Sequence, residues 1–107
     1  MRLALDLDGV AWAHPRLLVP LSRAVKAIGW QVGVITGHWG ADLVAQDRER
    51  WKLLGYPAWD FYYGGELRPD MAPPAQWKPG IMQQYGVDYL IDDLEQFANL
   101  HVFIKQP

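Results

Sequence analysis

The sequence predicts an α/β fold, a three-layer α/β/α sandwich around a five-stranded, mostly parallel sheet. Two observations predict it. Short apolar runs alternate with helical patterns along the chain, the βαβ signature of a parallel sheet covered on both faces. The helical patterns stop at glycines, Gly29, Gly55 and Gly86, the residue that most readily ends a helix. The length, 107 residues, suits one domain (1–107) with a real core.

Arg2 to Leu7 reads as the first strand. Pro20 to Ile28 reads as a helix with Leu21, Ala24, Val25 and Ile28 on one face. Gln31 to Thr36 is a buried strand carrying Val32, Val34 and Ile35. Ala41 to Leu54 is the next helix, with Leu43, Val44, Trp51 and Leu54 inward and Arg48, Glu49, Arg50 and Lys52 solvated. Asp60 to Tyr63 suggests a third strand, and Gly64 to Trp77 a loop rich in Pro and Gly. Pro79 suits the first turn of a short helix carrying Ile81, Met82 and Tyr85. Val87 to Ile91 is a fourth strand. Leu100 to Ile104 is a fifth, whose alternation suits a sheet edge with one exposed face.

Composition narrows the function. Half the residues are hydrophobic and 21% are charged, a globular balance. The absence of Cys excludes disulfides, a thiol nucleophile and thiolate metal sites. A net charge of -2 without a basic tract argues against a grip on duplex DNA. No apolar run approaches the roughly 20 residues of a membrane helix. The N-terminus reads as a strand carrying acids, not a signal peptide. The expectation is a soluble, cytoplasmic protein with no membrane or duplex nucleic-acid partner.

The informative residues are acids at strand ends. Asp6 and Asp8 stand in Asp6-Leu7-Asp8-Gly9-Val10. Residues two apart in a strand lie about 7 Å apart on one side. Two carboxylates at that distance repel by roughly 2 kcal/mol at an effective dielectric near 20. A cation or proton must offset that cost, and hard cations such as Mg²⁺ take carboxylate and phosphate oxygens. A second pair, Asp92 and Asp93, follows the apolar run Tyr89, Leu90, Ile91. Parallel strands end on one edge, where ligands bind near the switch in strand order. Four carboxylates can therefore converge. Thr36 ends the second strand before Gly37, offering a hydroxyl and nearby N–H groups to an anionic oxygen. Lys78 precedes the short helix and can neutralise charge on a phosphoryl group. Singly, each residue also has an ordinary explanation, as a turn, a cap or a solvated charge. Asp92-Asp93 could cap a segment at Leu94 to Asn99.

In order, these motifs resemble those of the haloacid dehalogenase superfamily, most of whose members are Mg²⁺-dependent phosphatases on a Rossmann-like fold. Leu5-Asp6-Leu7-Asp8-Gly9-Val10 matches the first motif, an apolar strand ending Asp-X-Asp-X-(Thr or Val). Val34-Ile35-Thr36-Gly37 matches the second, Lys78 the third and Leu90-Ile91-Asp92-Asp93 the fourth. The resemblance implies phosphomonoester hydrolysis in two steps. Asp6 would form an aspartyl-phosphate, and Asp8 would protonate the leaving oxygen and then activate water. Thr36 and Lys78 would hold the phosphoryl group. Asp6, the Asp8 carbonyl and the Asp92–Asp93 pair would ligate Mg²⁺, with Asp93 the direct ligand and Asp92 a partner of Lys78 or of a metal-bound water.

The chain departs from many members of that family in size. No stretch is left over for a cap domain, so it looks uncapped and near minimal. A bulky substrate, the Gly64–Trp77 loop or a second subunit would then have to cover the site, which makes a homo-oligomer a further expectation. Trp12, Trp39 and Trp77 neighbour the motifs, with His14 and His38 beside them. A Trp contacting the leaving group would favour a nucleotide among small phosphorylated substrates, because base stacking is worth roughly 1–3 kcal/mol. The same Trp residues could instead only pack loops. Gly37, His38 and Arg68 are the other candidate substrate contacts. No Gly-rich loop ending in Lys-Thr or Lys-Ser is present, against an NTPase. The acid pair follows Lys78 rather than preceding it, against a response-regulator receiver. A non-catalytic metal- and phosphate-binding module on the same fold is the alternative.

Overall fold

The computed structural model describes residues 1–69, 74–93 and 99–106. The elements in order are β1 (Arg2–Leu5), a wide turn over Leu7–Ala11, α1 (Pro15–Ala27), β2 (Gln31–Ile35), α2 (Ala41–Leu53) and β3 (Tyr62–Tyr63). A single 3-10 turn at Gly65–Leu67 follows, then α3 (Pro74–Tyr85), β4 (Tyr89–Asp92) and β5 (His101–Ile104). The fold is α/β with a five-stranded mixed sheet in the order β3-β2-β1-β4-β5. β1 to β4 run parallel and only β5, at the edge, is antiparallel.

Strand alternation divides the core. Leu3 and Leu5 of β1, Val32 and Val34 of β2 and Ile91 of β4 share one cluster with Leu18 of α1 and Trp51 of α2. Ala4, Ile35 and Leu90 point the other way, into a cluster with Trp77, Ile81 and Met82 of α3. Side chains one residue apart on a strand face opposite sides, so the strands feed both clusters at once.

Several boundaries differ from the expectation. The first strand ends at Leu5, because the chain turns at Asp6, whose backbone N–H donates to the Ile91 carbonyl at 3.1 Å. The first helix starts at Pro15 rather than Pro20, so its inward residues are Leu18 and Ser22 with Val25 beside the core. Leu21 and Ile28, expected inward, are exposed. Ser22 tolerates burial because its hydroxyl donates to the Leu18 carbonyl at 2.6 Å. In α2, Trp51 is buried and Leu43 is exposed. The third helix begins at Pro74, so Lys78 sits within it rather than before it. A proline is well placed at a helix start, and that place belongs to Pro74, not Pro79. The segment expected to be one loop, Gly64 to Trp77, therefore contains both the 3-10 turn and the start of α3; its residues 70–73 lie outside the described residues. So does most of the segment Leu94 to Asn99. On β5, Phe103 packs against the α3-side cluster, while Val102 and Ile104 are the exposed apolar residues.

β2 passes unusually close to the segment before β3. A Cβ on Gly33 would lie 2.4 Å from the Phe61 ring and 2.5 Å from the Phe61 carbonyl oxygen. Gly33→Ala should therefore lower stability by about 1–3 kcal/mol, read from chemical denaturation; an unchanged midpoint would contradict this packing.

Candidate metal and phosphate site

The register sets the site. Leu5 pairs with Val34 on one side and Ile91 on the other, so the residues that follow β1, β2 and β4 share one sheet edge. β1 has its chain neighbours on opposite sides there, the switch point at which α/β sheets bind ligands. Asp6, Thr36 and Asp92 all stand at this edge.

Asp6, Asp92 and Asp93 each present a carboxylate oxygen within 4.8 Å of the others. Lys78, buried in α3, reaches between two of them, with Nζ 3.0 Å from Asp6 Oδ2 and 2.9 Å from Asp92 Oδ2. Asp6 Oδ1 accepts the Leu7 backbone N–H at 2.8 Å, and Asp92 Oδ1 accepts that of Asp93 at 2.8 Å. Both carboxylates are thus fixed by backbone on one oxygen and by Lys78 on the other.

The electrostatics follow. Burial pushes the Asp6 carboxyl up to about 6, against the Lys78 ammonium that lowers it, with the Asp92 charge adding to the rise. Asp92 is buried too, but the Lys78 charge and hydrogen bond prevail and hold it below the usual carboxylate range. Asp93 is raised by partial burial and by the adjoining Asp92. One ammonium among three carboxylates leaves net negative charge, and both Asp6 and Asp93 are raised by it.

The turn after β1 is shaped for this cluster. Ala11 N–H donates to the Asp6 carbonyl and Trp12 N–H to the Leu7 carbonyl, at 3.1 and 3.0 Å, a wide five-residue spacing common at functional sites. Within it Gly9 has φ +73°, and a Cβ there would lie 2.1 Å from Asp93 Oδ2. Only glycine gives both the backbone conformation and the room for Asp93. Tyr56 secures the far end of the turn, its hydroxyl donating to the Ala11 carbonyl at 2.7 Å.

Asp8 leaves this turn in another direction. Its side chain is 74% exposed, and Oδ2 lies 2.7 Å from His38 Nε2. His38 Nδ1 lies 2.9 Å from Asp47 Oδ2, which also accepts the Tyr62 hydroxyl at 2.9 Å. Burial would lower the His38 value, but the hydrogen bonds and charges of Asp47 and Asp8 outweigh it and hold the imidazole above its ordinary range. Thr36 is buried, and its Oγ1 accepts the His38 backbone N–H at 3.3 Å.

The expected residues are distributed as follows. Asp6, Asp92, Asp93 and Lys78 form one cluster, and Thr36 stands at the same sheet edge. The Asp8 carboxylate lies outside the three-oxygen cluster. Both ring nitrogens of His38 face carboxylates. Trp77 is buried in the α3-side core, which removes it from the expected rim. Trp12 packs edge-on to Trp51 with the Arg50 guanidinium 4.7 Å from its ring, whereas Trp39 is 65% exposed. Gly37 and Arg68 are exposed, Arg68 at the end of the 3-10 turn, its N–H donating to the Gly65 carbonyl at 3.0 Å. His14 precedes α1. Sequence reading missed Asp47 and Tyr62. The signal for Asp47 was available: Val44, Asp47 and Trp51 share one stripe of α2, so a carboxylate stands among inward positions.

Compared with known proteins, the chain matches no family model, no curated protein and no solved structure.

The raised Asp6 value has a thermodynamic sign. The folded chain binds this proton more tightly than the unfolded one, whose value is near 3.8. The contribution is thus full below about pH 4 and is lost as pH rises through about 6. Thermal unfolding in metal-free buffer should show this decline in the wild type and not in Asp6→Asn; identical pH slopes would contradict it.

Proposed function

We propose that the chain is a Mg²⁺-dependent phosphomonoester hydrolase of the haloacid dehalogenase type, an uncapped three-layer α/β/α member acting through an aspartyl-phosphate on Asp6. The observation that carries this reading is the meeting of Asp6, Asp92 and Asp93 within 4.8 Å, with Lys78 held between Asp6 and Asp92. Residues of the first, third and fourth motifs thus meet, and Thr36 of the second ends the neighbouring strand. Only the 3-10 turn stands between β3 and α3 among the described residues, in keeping with an open site.

The donor set fits Mg²⁺, which favours hard oxygen ligands and commonly uses one or two carboxylates with phosphate oxygens. Asp6, Asp93 and the Asp8 carbonyl would hold it, with Asp92 shared with Lys78. The raised Asp6 value supports the fit, because a second cation would relieve that excess charge. Bound there, Mg²⁺ would neutralise phosphate charge and hold the phosphoryl group against Asp6.

The chain's own groups perform the transfer. With its value near 6, Asp6 is largely ionised at neutral pH. Its carboxylate attacks phosphorus, forming a new P–O bond as the ester P–O bond breaks. The Asp8 carboxyl gives its proton to the departing oxygen. Asp8 then takes a proton from the water that attacks the acyl phosphate, releasing inorganic phosphate and restoring Asp6. Lys78 and the Thr36 hydroxyl hold the phosphoryl oxygens, with the backbone N–H of Gly37 adding a donor. Trp39 is the exposed aromatic that a nucleotide base would meet, and Arg68 is a candidate contact for a second anionic group. A small phosphorylated substrate suits a cytoplasmic protein. No described helix is long and apolar enough to cross a membrane. An open site also leaves room for a second subunit to cover it.

Two measurements test this reading. Nitrophenyl phosphate should be hydrolysed with Mg²⁺ and not by Asp6→Asn, and beryllium fluoride should be trapped only when Asp6 is present. An inert wild type that still binds Mg²⁺ would leave the non-catalytic binding module. Mg²⁺ at a hundred times its dissociation constant should raise unfolding stability by about 2.7 kcal/mol, an increase diminished in Asp93→Asn. No shift in melting with Mg²⁺ would refute the metal site.

A further inference from the structure

We infer that His38, held by Asp47 and Tyr62, is the positioning residue that fixes the general acid–base Asp8. This inference rests on the hydrolase reading above and deepens it.

Asp8 needs such a device. Its side chain is 74% exposed, and it stands in a turn where its own φ/ψ, -64° and 132°, depart from the helical conformation. A short carboxylate in that setting has several open rotamers. His38 Nε2, 2.7 Å from Oδ2, restrains it. His38 in turn is not free to turn. Its Nδ1 is 2.9 Å from Asp47, and its backbone N–H donates to Thr36 Oγ1. Asp47 itself is buried, 5% exposed, and is fixed by the Tyr62 hydroxyl. A chain of contacts therefore runs from β3 through α2 and the loop after β2 to the exposed carboxylate in the turn after β1.

The placement also has the right direction. Gly37 and His38 directly follow Thr36, so the ring that holds Asp8 is tied to the hydroxyl proposed to hold the phosphoryl group. A carboxyl anchored there is held outside the three-carboxylate cluster. Asp47, a buried charge on an inward stripe of α2, accepts the Tyr62 hydroxyl and faces His38 Nδ1. Small errors in the placement of a reacting group can cost as much as about a hundredfold in rate.

The test compares two leaving groups. kcat/KM reports the step in which the ester bond breaks. An alkyl phosphate needs its leaving oxygen protonated in that step, and a nitrophenyl phosphate hardly does. His38→Ala should lower kcat/KM for the alkyl ester about 10- to 100-fold and for the nitrophenyl ester by less than about threefold, with the alkyl-ester loss lying in kcat rather than KM. His38→Gln, which restores an N–H toward Asp8, should recover part of the loss. Tyr62→Phe, a milder change, should show the same selective pattern at smaller amplitude. Equal losses on both esters, or no loss on either, would overturn the positioning role while leaving the hydrolase reading intact. A wild type inert toward both esters would overturn that reading, and with it any catalytic purpose for His38. A readout independent of turnover tests the geometry itself. The ¹⁵N resonance of His38 Nε2 should move in Asp8→Asn and that of Nδ1 in Asp47→Asn; unmoved resonances would overturn the contact chain.

Discussion

Everything at the sheet edge depends on Lys78 standing between Asp6 and Asp92. Its ammonium is almost wholly buried and touches both carboxylates at about hydrogen-bond length. Removing one member of a buried ion pair typically costs about 3–5 kcal/mol, because the remaining charge is left without compensation. The pair also ties α3 to the ends of β1 and β4, beside the apolar cluster of Trp77, Ile81 and Met82 and the Arg2 guanidinium, which donates to the Tyr85 carbonyl. A lysine in the second turn of a helix, aimed at strand ends, is a registration device as well as a charge.

The two carboxylates respond in opposite ways to the same cation. Asp92 is held below the usual range and Asp6 above it. The difference separates their roles. Asp92 is stabilised in its charged form by Lys78, whereas burial and the Asp92 charge make Asp6 harder to ionise. The neighbouring His38–Asp47–Tyr62 chain is built differently. There a histidine and a phenol contact the carboxylates of Asp8 and Asp47, and no residue is shared with the Asp6–Lys78–Asp92 contacts.

The strand cores and their carboxyl ends were legible in the sequence because parallel strands write short apolar runs that stop at polar residues. Asp6, Thr36, Asp92 and Asp93 could be placed on one edge from that pattern alone. Helix boundaries were less legible. Proline suits a helix start, but α1 and α3 each contain a later proline that marked the wrong start, Pro20 and Pro79. The error moved the inward stripe of α1 and placed Lys78 outside its helix. Trp77 was misread because adjacency in sequence says nothing of facing: Lys78 turns to the carboxylates while its neighbour enters the core. Asp47 and Tyr62 were invisible as partners, since their meeting depends on where α2 lies against β3.

β1 lies between β2 and β4, pairing Leu3 with Val32 early in the chain and with Tyr89 late. That order has a consequence for assembly. While the chain is being made, β1 keeps one backbone edge open until the ninth decade of residues has emerged. Lys78 precedes β4 in the chain, but Asp92, the other carboxylate it bridges, arrives only with β4. Closing so long a loop is slow compared with forming the β1–α1–β2 unit, so maturation of the molecule ends, rather than begins, with its most acidic corner. A chain that stopped short of β4 would leave that edge of β1 unpaired, an adhesive strand edge.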